Sequence, residues 1–307
     1  MHEGIVYRST GSWYAVKSAA TFYNCRIKGR LRIKGIKSTN PIAVGDRVLF
    51  EIDPSAPMQG IITEVLDRTN YIVRRSVNLS KQIHILAANI DQVFLVVTLN
   101  NPTTHSQFID RFLVSAEAYR VPVILVFNKV DTYDNQERKA VAQRRQLYEN
   151  IGYSCLEIAA MQNEGIEAVR DLMKGKVSII AGHSGVGKST LANALDPTLE
   201  LETAALSEQH QQGQHTTTFA AMHELENDIR LIDTPGIRGF GVVDMSPQEL
   251  GDYFPEIFKL KSQCKYHNCL HLKEPQCAVR EALDNEQIAA SRYQSYQQLL
   301  EEDTTYR

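Results

Sequence analysis

The chain has 307 residues, 22% of them charged and 43% apolar, a balance that excludes a mainly disordered protein and leaves length for about two domains. Its longest strongly apolar runs, such as Val121–Phe127 and Val93–Leu99, fall far short of the roughly twenty residues of a membrane helix, so no transmembrane helix is expected. Net charge is −3 but uneven: residues 1–81 carry 13 Lys/Arg against 6 Asp/Glu, and the remainder 20 against 30. A basic N-terminal module on an acidic protein points to a polyanionic partner.

The start, Met1–Gly4, has neither the basic residues nor the apolar run of a signal peptide, and a cytoplasmic protein is expected. Residues 1–75 read as short strands broken by turn residues, including Gly11–Ser12, Asn40–Pro41 and the Pro-rich stretch 53–57. Val44–Phe50 and Gly60–Val65 form an expected strand pair around that stretch, and so many short strands predict a small closed barrel. Within them Arg26, Lys28, Arg30, Arg32 and Lys34 recur at every second position, which in a strand puts the cations on one face. Like charges so close repel unless a polyanion neutralises them, so this ribbon is a candidate binder of a phosphate backbone, the alternative being a merely solvated barrel face. Trp13, Tyr14, Phe22 and Tyr23 are either stacking surfaces or barrel core.

From about residue 88 the pattern changes. Strand-length apolar runs (92–98, 121–128, 177–181 and 229–233) alternate with helical stretches (107–119, 135–151 and 187–195), the mark of a parallel sheet covered by helices. Val177–Ala181 runs directly into Gly182–His183–Ser184–Gly185–Val186–Gly187–Lys188–Ser189, a GxxxxGKS phosphate loop between strand and helix. Its glycines let backbone N–H groups approach phosphate oxygens, and the helix that follows adds its N-terminal dipole. Lys188 is suited to the β- and γ-phosphates and Ser189 to magnesium. Asn128–Lys129–Val130–Asp131 follows the strand 121–127. There a carboxylate from Asp131 can accept from N1–H and the 2-amino group of guanine together, an edge that adenine lacks, and Asn128 can buttress the loop. Asp233–Thr234–Pro235–Gly236 ends the strand 229–233; Asp233 is suited to holding magnesium through water and the Gly236 N–H to sensing a γ-phosphate. A threonine of His215–Thr216–Thr217–Thr218 can complete the magnesium shell.

The order is informative. GTPases ordinarily run phosphate loop, switch threonine, DxxG, NKxD; here NKxD comes first and the others follow in their usual sequence. A circular permutation rotates the motifs this way while keeping one site, and it sets the end of DxxG beside a C-terminal extension. That extension holds Cys264, Cys269, His271 and Cys277, spaced C-x4-C-x-H-x5-C, with His267 as a competing ligand. Three thiolates and an imidazole make a closed structural zinc site. Cys25 and Cys155 lie in apolar runs and are expected to be inert core thiols. A polar, helix-favouring tail, 279–302, follows.

Together the basic barrel, the permuted motifs and the cysteine cluster resemble the RsgA/YjeQ family of bacterial ribosome-assembly GTPases, over essentially the whole chain. The resemblance implies three units: an N-terminal OB-fold β-barrel (1–75), a central α/β circularly permuted P-loop GTPase domain (76–245) and a C-terminal mostly helical zinc domain (246–307). It implies a monomeric GTPase of late small-subunit maturation, whose partners are the small ribosomal subunit, its rRNA and GTP/GDP, with hydrolysis stimulated by the subunit. By motif it places guanine recognition on Asn128, Lys129 and Asp131, phosphate binding on Ser184 through Thr190, magnesium on Ser189 and Thr217, and one zinc on Cys264, Cys269, His271 and Cys277. Two departures stand out. Where the family has a Ser-Ala base contact the chain reads Ile158–Ala159–Ala160–Met161, leaving the Ala160 N–H as the candidate contact to guanine O6. Gly185 replaces the Asn of potassium-activated GTPases, so that feature does not support potassium dependence. The position after DxxG that holds a water-orienting Gln in Ras-like enzymes is Ile237, which makes His215 the candidate catalytic residue. The competing expectation is a GTP-switched RNA-binding module acting on another structured RNA, with hydrolysis incidental.

Overall fold

The computed structural model describes residues 1–27, 41–75, 83–201, 220–233 and 245–305. Five strands build the N-terminal unit: β1 (His2–Ser9), β2 (Tyr14–Ser18), β3 (Thr21–Ile27), β4 (Arg47–Asp53) and β5 (Ala56–Val65). They pair in the order β1-β2-β3-β5-β4, and β4 returns to β1, so the sheet closes on itself. Only β3 and β5 run parallel. Alternation explains the closure: Val6, Tyr14, Val16, Cys25, Val48, Phe50 and Ile62 point inward and are buried. The expected strand pair is present but shifted. The first strand begins at Arg47, and the turn is Pro54–Ser55, with Ala56 and Pro57 already in β5. Tyr14 belongs to the core, whereas Phe22 is 46% exposed.

A separate hairpin, β6 (Tyr71–Arg75) with β7 (Ile83–Ala88), links barrel to GTPase unit and spans residue 75. The central sheet has β8 (Gln92–Val97), β9 (Val123–Phe127), β10 (Ser154–Glu157), β11 (Val177–Ala181), β12 (Ala221–Leu225) and β13 (Ile229–Asp233), in the order β10-β9-β8-β11-β13-β12. All are parallel but β12, which runs antiparallel to β13. Around it lie α1 (Ser106–Ala118), α2 (Asn135–Ile151), α3 (Ile166–Met173) and α4 (Lys188–Leu195). Both faces are covered: Val93, Leu95 and Val97 pack with α1 and α2, while Phe94 and Val96 pack with α3 and α4. Helix α2 starts on a capping box, Asp134 accepting from the Glu137 N–H while Glu137 reaches back to the Asp134 N–H.

The C-terminal unit holds α5 (Pro247–Leu250), α6 (Pro255–Lys261), α7 (Ala278–Asp284) and α8 (Ala290–Thr305). Its core of Leu250, Phe254, Ile257, Val279, Tyr293 and Tyr296 takes in Val114 of α1, so it is seated on the GTPase unit. The seat is polar as well. Arg292 of α8, 1% exposed, donates to Asp110 Oδ1 at 2.7 Å and to Glu256 Oε1 at 2.7 Å, and Tyr148 donates to the same Asp110 oxygen at 2.8 Å. Among the described residues no helix is long and apolar enough to cross a membrane.

Candidate GTP site and metal cluster

The parallel strands β8, β9, β11 and β13 deliver their carboxyl ends to one edge, where ligands bind in open α/β sheets. The phosphate loop leaves β11 there and turns into α4 at Lys188. Two glycines are forced by contact as well as by dihedral. Gly182 has φ +139°, and a Cβ on it would lie 2.4 Å from the Val96 carbonyl oxygen. Gly187 has φ +98°, and its Cβ would fall 2.3 Å from Asn128 Nδ2. Ser184 and Gly185 are exposed at the tip of the loop; Gly187, Ser189 and Thr190 are half-buried; Val186 is buried beneath. Lys188 Nζ donates to the His183 carbonyl at 2.8 Å, across the loop it follows.

Asn128 does more than buttress its own turn. Buried at the end of β9, it donates from Nδ2 to the Val186 carbonyl at 2.8 Å and accepts at Oδ1 from the Ala160 N–H at 3.1 Å. One side chain thus fastens the base loop, the phosphate loop and the 158–161 turn together. The Ala160 N–H, the candidate contact to guanine O6, is engaged by Asn128 in this structure. Tyr133 donates to the Asn128 carbonyl at 2.9 Å and accepts from the Leu99 N–H at 2.8 Å, fixing the loop from behind. Lys129 has φ +66° and donates to the Asn101 carbonyl at 2.5 Å. Burial lowers its pKa, with Asp131 opposing. Asp131 itself is exposed on the turn 130–132. Asp233 ends β13; burial raises its carboxyl pKa, while His223 and Lys188 pull it down. Thr217, His215 and Gly236 lie outside the described residues.

The chain also uses a wall that its motifs do not announce. Residues 98–104 fold over the phosphate loop: Thr104 Oγ1 is 2.7 Å from His183 Nε2, and Phe108 meets the His183 ring edge-on with centroids 5.4 Å apart. No residue of Leu99–Asn100–Asn101–Pro102 signals this by type; only its position after a strand of the parallel sheet does.

In the C-terminal unit Cys264, Cys269, His271 and Cys277 bring one ligand atom each to within 4.8 Å of all the others. Cys264 Sγ is 3.9 Å from Cys277 Sγ and 3.6 Å from His271 Nδ1, and His271 Nδ1 is 3.4 Å from Cys277 Sγ. A tetrahedral ion with bonds of about 2.3 Å to sulfur needs edges of roughly 3.8 Å, so the donor set fits zinc in size and chemistry. His267 is exposed and outside the cluster, which decides between the two histidines. Glu274 holds the intervening loop, accepting from the Leu270 and Leu272 N–H groups at 2.8 Å each, and Tyr293 donates to the His271 carbonyl at 2.5 Å. Burial pushes the Cys269 thiol up to about 12 and lowers His271. Cys25 is buried and Cys155 half-buried in β10, both with thiol pKa raised by burial, in line with inert core thiols.

On the barrel, Arg26 lies on the exposed face of β3 and its guanidinium sits 3.8 Å over the Trp13 ring. Lys28, Arg30, Arg32 and Lys34 fall outside the described residues, so the structure carries the ribbon only as far as its first cation.

A closed barrel, a sheet whose base loop precedes its phosphate loop, and a Cys3His extension define a circularly permuted P-loop GTPase with two appended units. Comparison with known proteins agrees. The RsgA GTPase family model matches residues 65–243 and the RsgA N-terminal domain model residues 3–62. A protein of Flavobacterium johnsoniae titled "Small ribosomal subunit biogenesis GTPase RsgA" is 58% identical over 302 residues, 98% of this chain and 93% of that one. YjeQ from Thermotoga maritima has a TM-score of 0.81 at 34% identity, covering 98% of each chain. YloQ, described as a circularly permuted GTPase, gives 0.76 at 28% identity, covering 100% of this chain and 96% of that one. The chain belongs to the RsgA family and is a GTPase.

Proposed function

We propose that this protein is a GTP-hydrolysing assembly factor that binds the small ribosomal subunit through its rRNA, acts late in the subunit's maturation in the cytoplasm, and is stimulated by it. The observation that carries the reading is the Asn128 clamp, which ties the guanine loop to the phosphate loop in a chain 58% identical to a small-subunit biogenesis GTPase. The three units take the bounds 1–75, 76–245 and 246–307, and the protein acts as a monomer.

Asp131 reads the guanine edge, Lys129 packs along the base, and Asn128 holds both loops and Ala160 in place. Gly182 and Ser184 through Thr190 wrap the phosphates, with Lys188 neutralising charge as it develops on the β- and γ-oxygens. Ser189 and Thr217 would hold magnesium, with Asp233 behind them; the ion supplies charge neutralisation for the transferring phosphoryl group. Gly236 senses the γ-phosphate. With Ile237 apolar, His215 positions the attacking water, and a neutral imidazole suffices to accept its hydrogen bond. Cys264, Cys269, His271 and Cys277 would hold one structural zinc, which fixes the C-terminal unit against α1. Arg26, Lys28, Arg30, Arg32 and Lys34 neutralise rRNA phosphates.

Sedimentation with purified small ribosomal subunits in GDP, GTP and a non-hydrolysable analogue tests the reading. Co-sedimentation favoured by GTP or its analogue is expected. Absence of binding in all three states would reject the ribosomal partner.

A further inference from the structure

Barrel and GTPase sheet are one hydrogen-bonded surface. Strand β1 pairs antiparallel with β12 at Arg8↔Ala221, and Ala221 in turn pairs with Asp233 of β13. Arg8 of the barrel, Ala221 and Asp233 therefore stand in one row across three strands, about 10 Å from end to end. Strand β12 is the first described element after residues 202–219, the stretch that carries His215 and Thr217. One carboxylate of β12 makes a polar contact with the barrel. Glu224 accepts from the Tyr7 hydroxyl of β1 at one oxygen and from the Lys17 ammonium of β2 at the other. Phe22 of β3 closes over this group, edge-on to Tyr7 with centroids 5.2 Å apart and 5.6 Å from Lys17 Nζ.

Two further features give the junction a purpose. Phe22 shares the exposed face of β3 with Arg26, four residues or about 13 Å along the strand. A polyanion held at Arg26 would thus lie on the same strand face as Phe22 of the clasp. The junction also borders solvent: an open cleft of about 400 Å³ lies beside it, lined by Tyr7, Phe22, Asp196, Leu199, Met222 and His223. The contact thus combines a backbone bridge, a bidentate carboxylate and the apolar cluster that Tyr7 shares with Met222, beside that cleft.

We infer that Glu224, held by Tyr7 and Lys17, is the positioning residue that couples the nucleotide end of β12–β13 to the RNA-facing strands of the barrel. The inference rests on the reading of Asp233 and the phosphate loop as the GTP site. Nucleotide state shifts Ala221 relative to Asp233; the shift reaches β1 through the Arg8 row and the clasp; RNA held on β3 favours one of the two positions. By linkage the effect is reciprocal, and couplings of this kind are typically about 5- to 150-fold in affinity.

The test is amide hydrogen exchange over residues 2–18 in the GDP-bound protein and in the protein bound to a non-hydrolysable GTP analogue. The unmodified protein should show a protection difference in β1 and β2 between the two states. Glu224→Ala should abolish that difference while leaving GDP affinity and unstimulated hydrolysis unchanged. Tyr7→Phe, which keeps the ring and loses only the donor, should reduce it, so a folding defect in one variant does not decide the matter. No difference in the unmodified protein, or an undiminished one in both variants, overturns the inference. Measuring small-subunit affinity of the same proteins separates it from the proposed function. A nucleotide-dependent exchange difference without subunit binding keeps the clasp and rejects the ribosomal partner. Subunit binding that prefers one nucleotide state equally in the unmodified protein and Glu224→Ala does the reverse.

Discussion

Replacing Asn128 by Ala isolates the geometry on which the GTP site depends. The side chain is 2% exposed and makes two hydrogen bonds to backbone groups of other loops, to the Val186 carbonyl at 2.8 Å and from the Ala160 N–H at 3.1 Å. Both partners belong to buried residues. Leaving a buried polar group unpaired costs about 1–3 kcal/mol, so the two orphans together amount to about 2–6 kcal/mol, toward the lower end if water enters the space vacated. The loss divides between folding and binding, because the same bonds hold the phosphate loop in register with the base loop. Titration with a fluorescent GDP should show affinity reduced by about tenfold or more, equivalent to about 1.4 kcal/mol, and urea denaturation should show the remainder as lost stability. Asn128→Asp keeps an acceptor for Ala160 but sets a carboxylate against the Val186 carbonyl, and should bind no better than Asn128→Ala. GDP affinity within about twofold of the unmodified protein in Asn128→Ala would refute the reasoning.

Asp131→Asn should lose guanine and gain xanthine, since an amide presents a donor where xanthine offers an acceptor; competition between GDP and XDP reads this directly, and unchanged GDP affinity contradicts it. Protein prepared without chelators should contain about one zinc per chain, and acidification should release it as protons compete for the thiolates. Cys269→Ser should loosen the C-terminal unit, seen by limited proteolysis, while GDP binding persists. Arg292→Met should destabilise the same unit by about 3–5 kcal/mol, because Asp110 is left buried, and Glu256 partly buried, without their cation; urea unfolding followed through that unit measures it.

Much of this was legible in residue types. Strands β11 and β13 and helix α2 fall where the apolar runs and the helical stretch 135–151 place them, because buried parallel strands write strong local signals. The ligand set of the metal cluster was legible up to one ambiguity, His267 or His271, that only the fold resolves. Strand β12 was not: Ala221–Leu225 alternates weakly, and it is a strand because β13 and β1 flank it. Arg292 sits in a tail that reads as polar and helix-favouring, yet it is among the most buried side chains, since its partners Asp110 and Glu256 are far away in sequence. The same holds for Asn128. Its motif marks it as a loop residue, while its bonds to Val186 and Ala160 exist only once strands β9 and β11 share one edge.

The central claim, that these permuted motifs close into a GTP site answering to the small ribosomal subunit, is tested most directly by the rate of phosphate release from GTP with and without purified small subunits. Slow release alone, rising by about tenfold or more at saturating subunits, a barrier lower by about 1.4 kcal/mol or more, is the predicted result. An equal rate in the two conditions would contradict it.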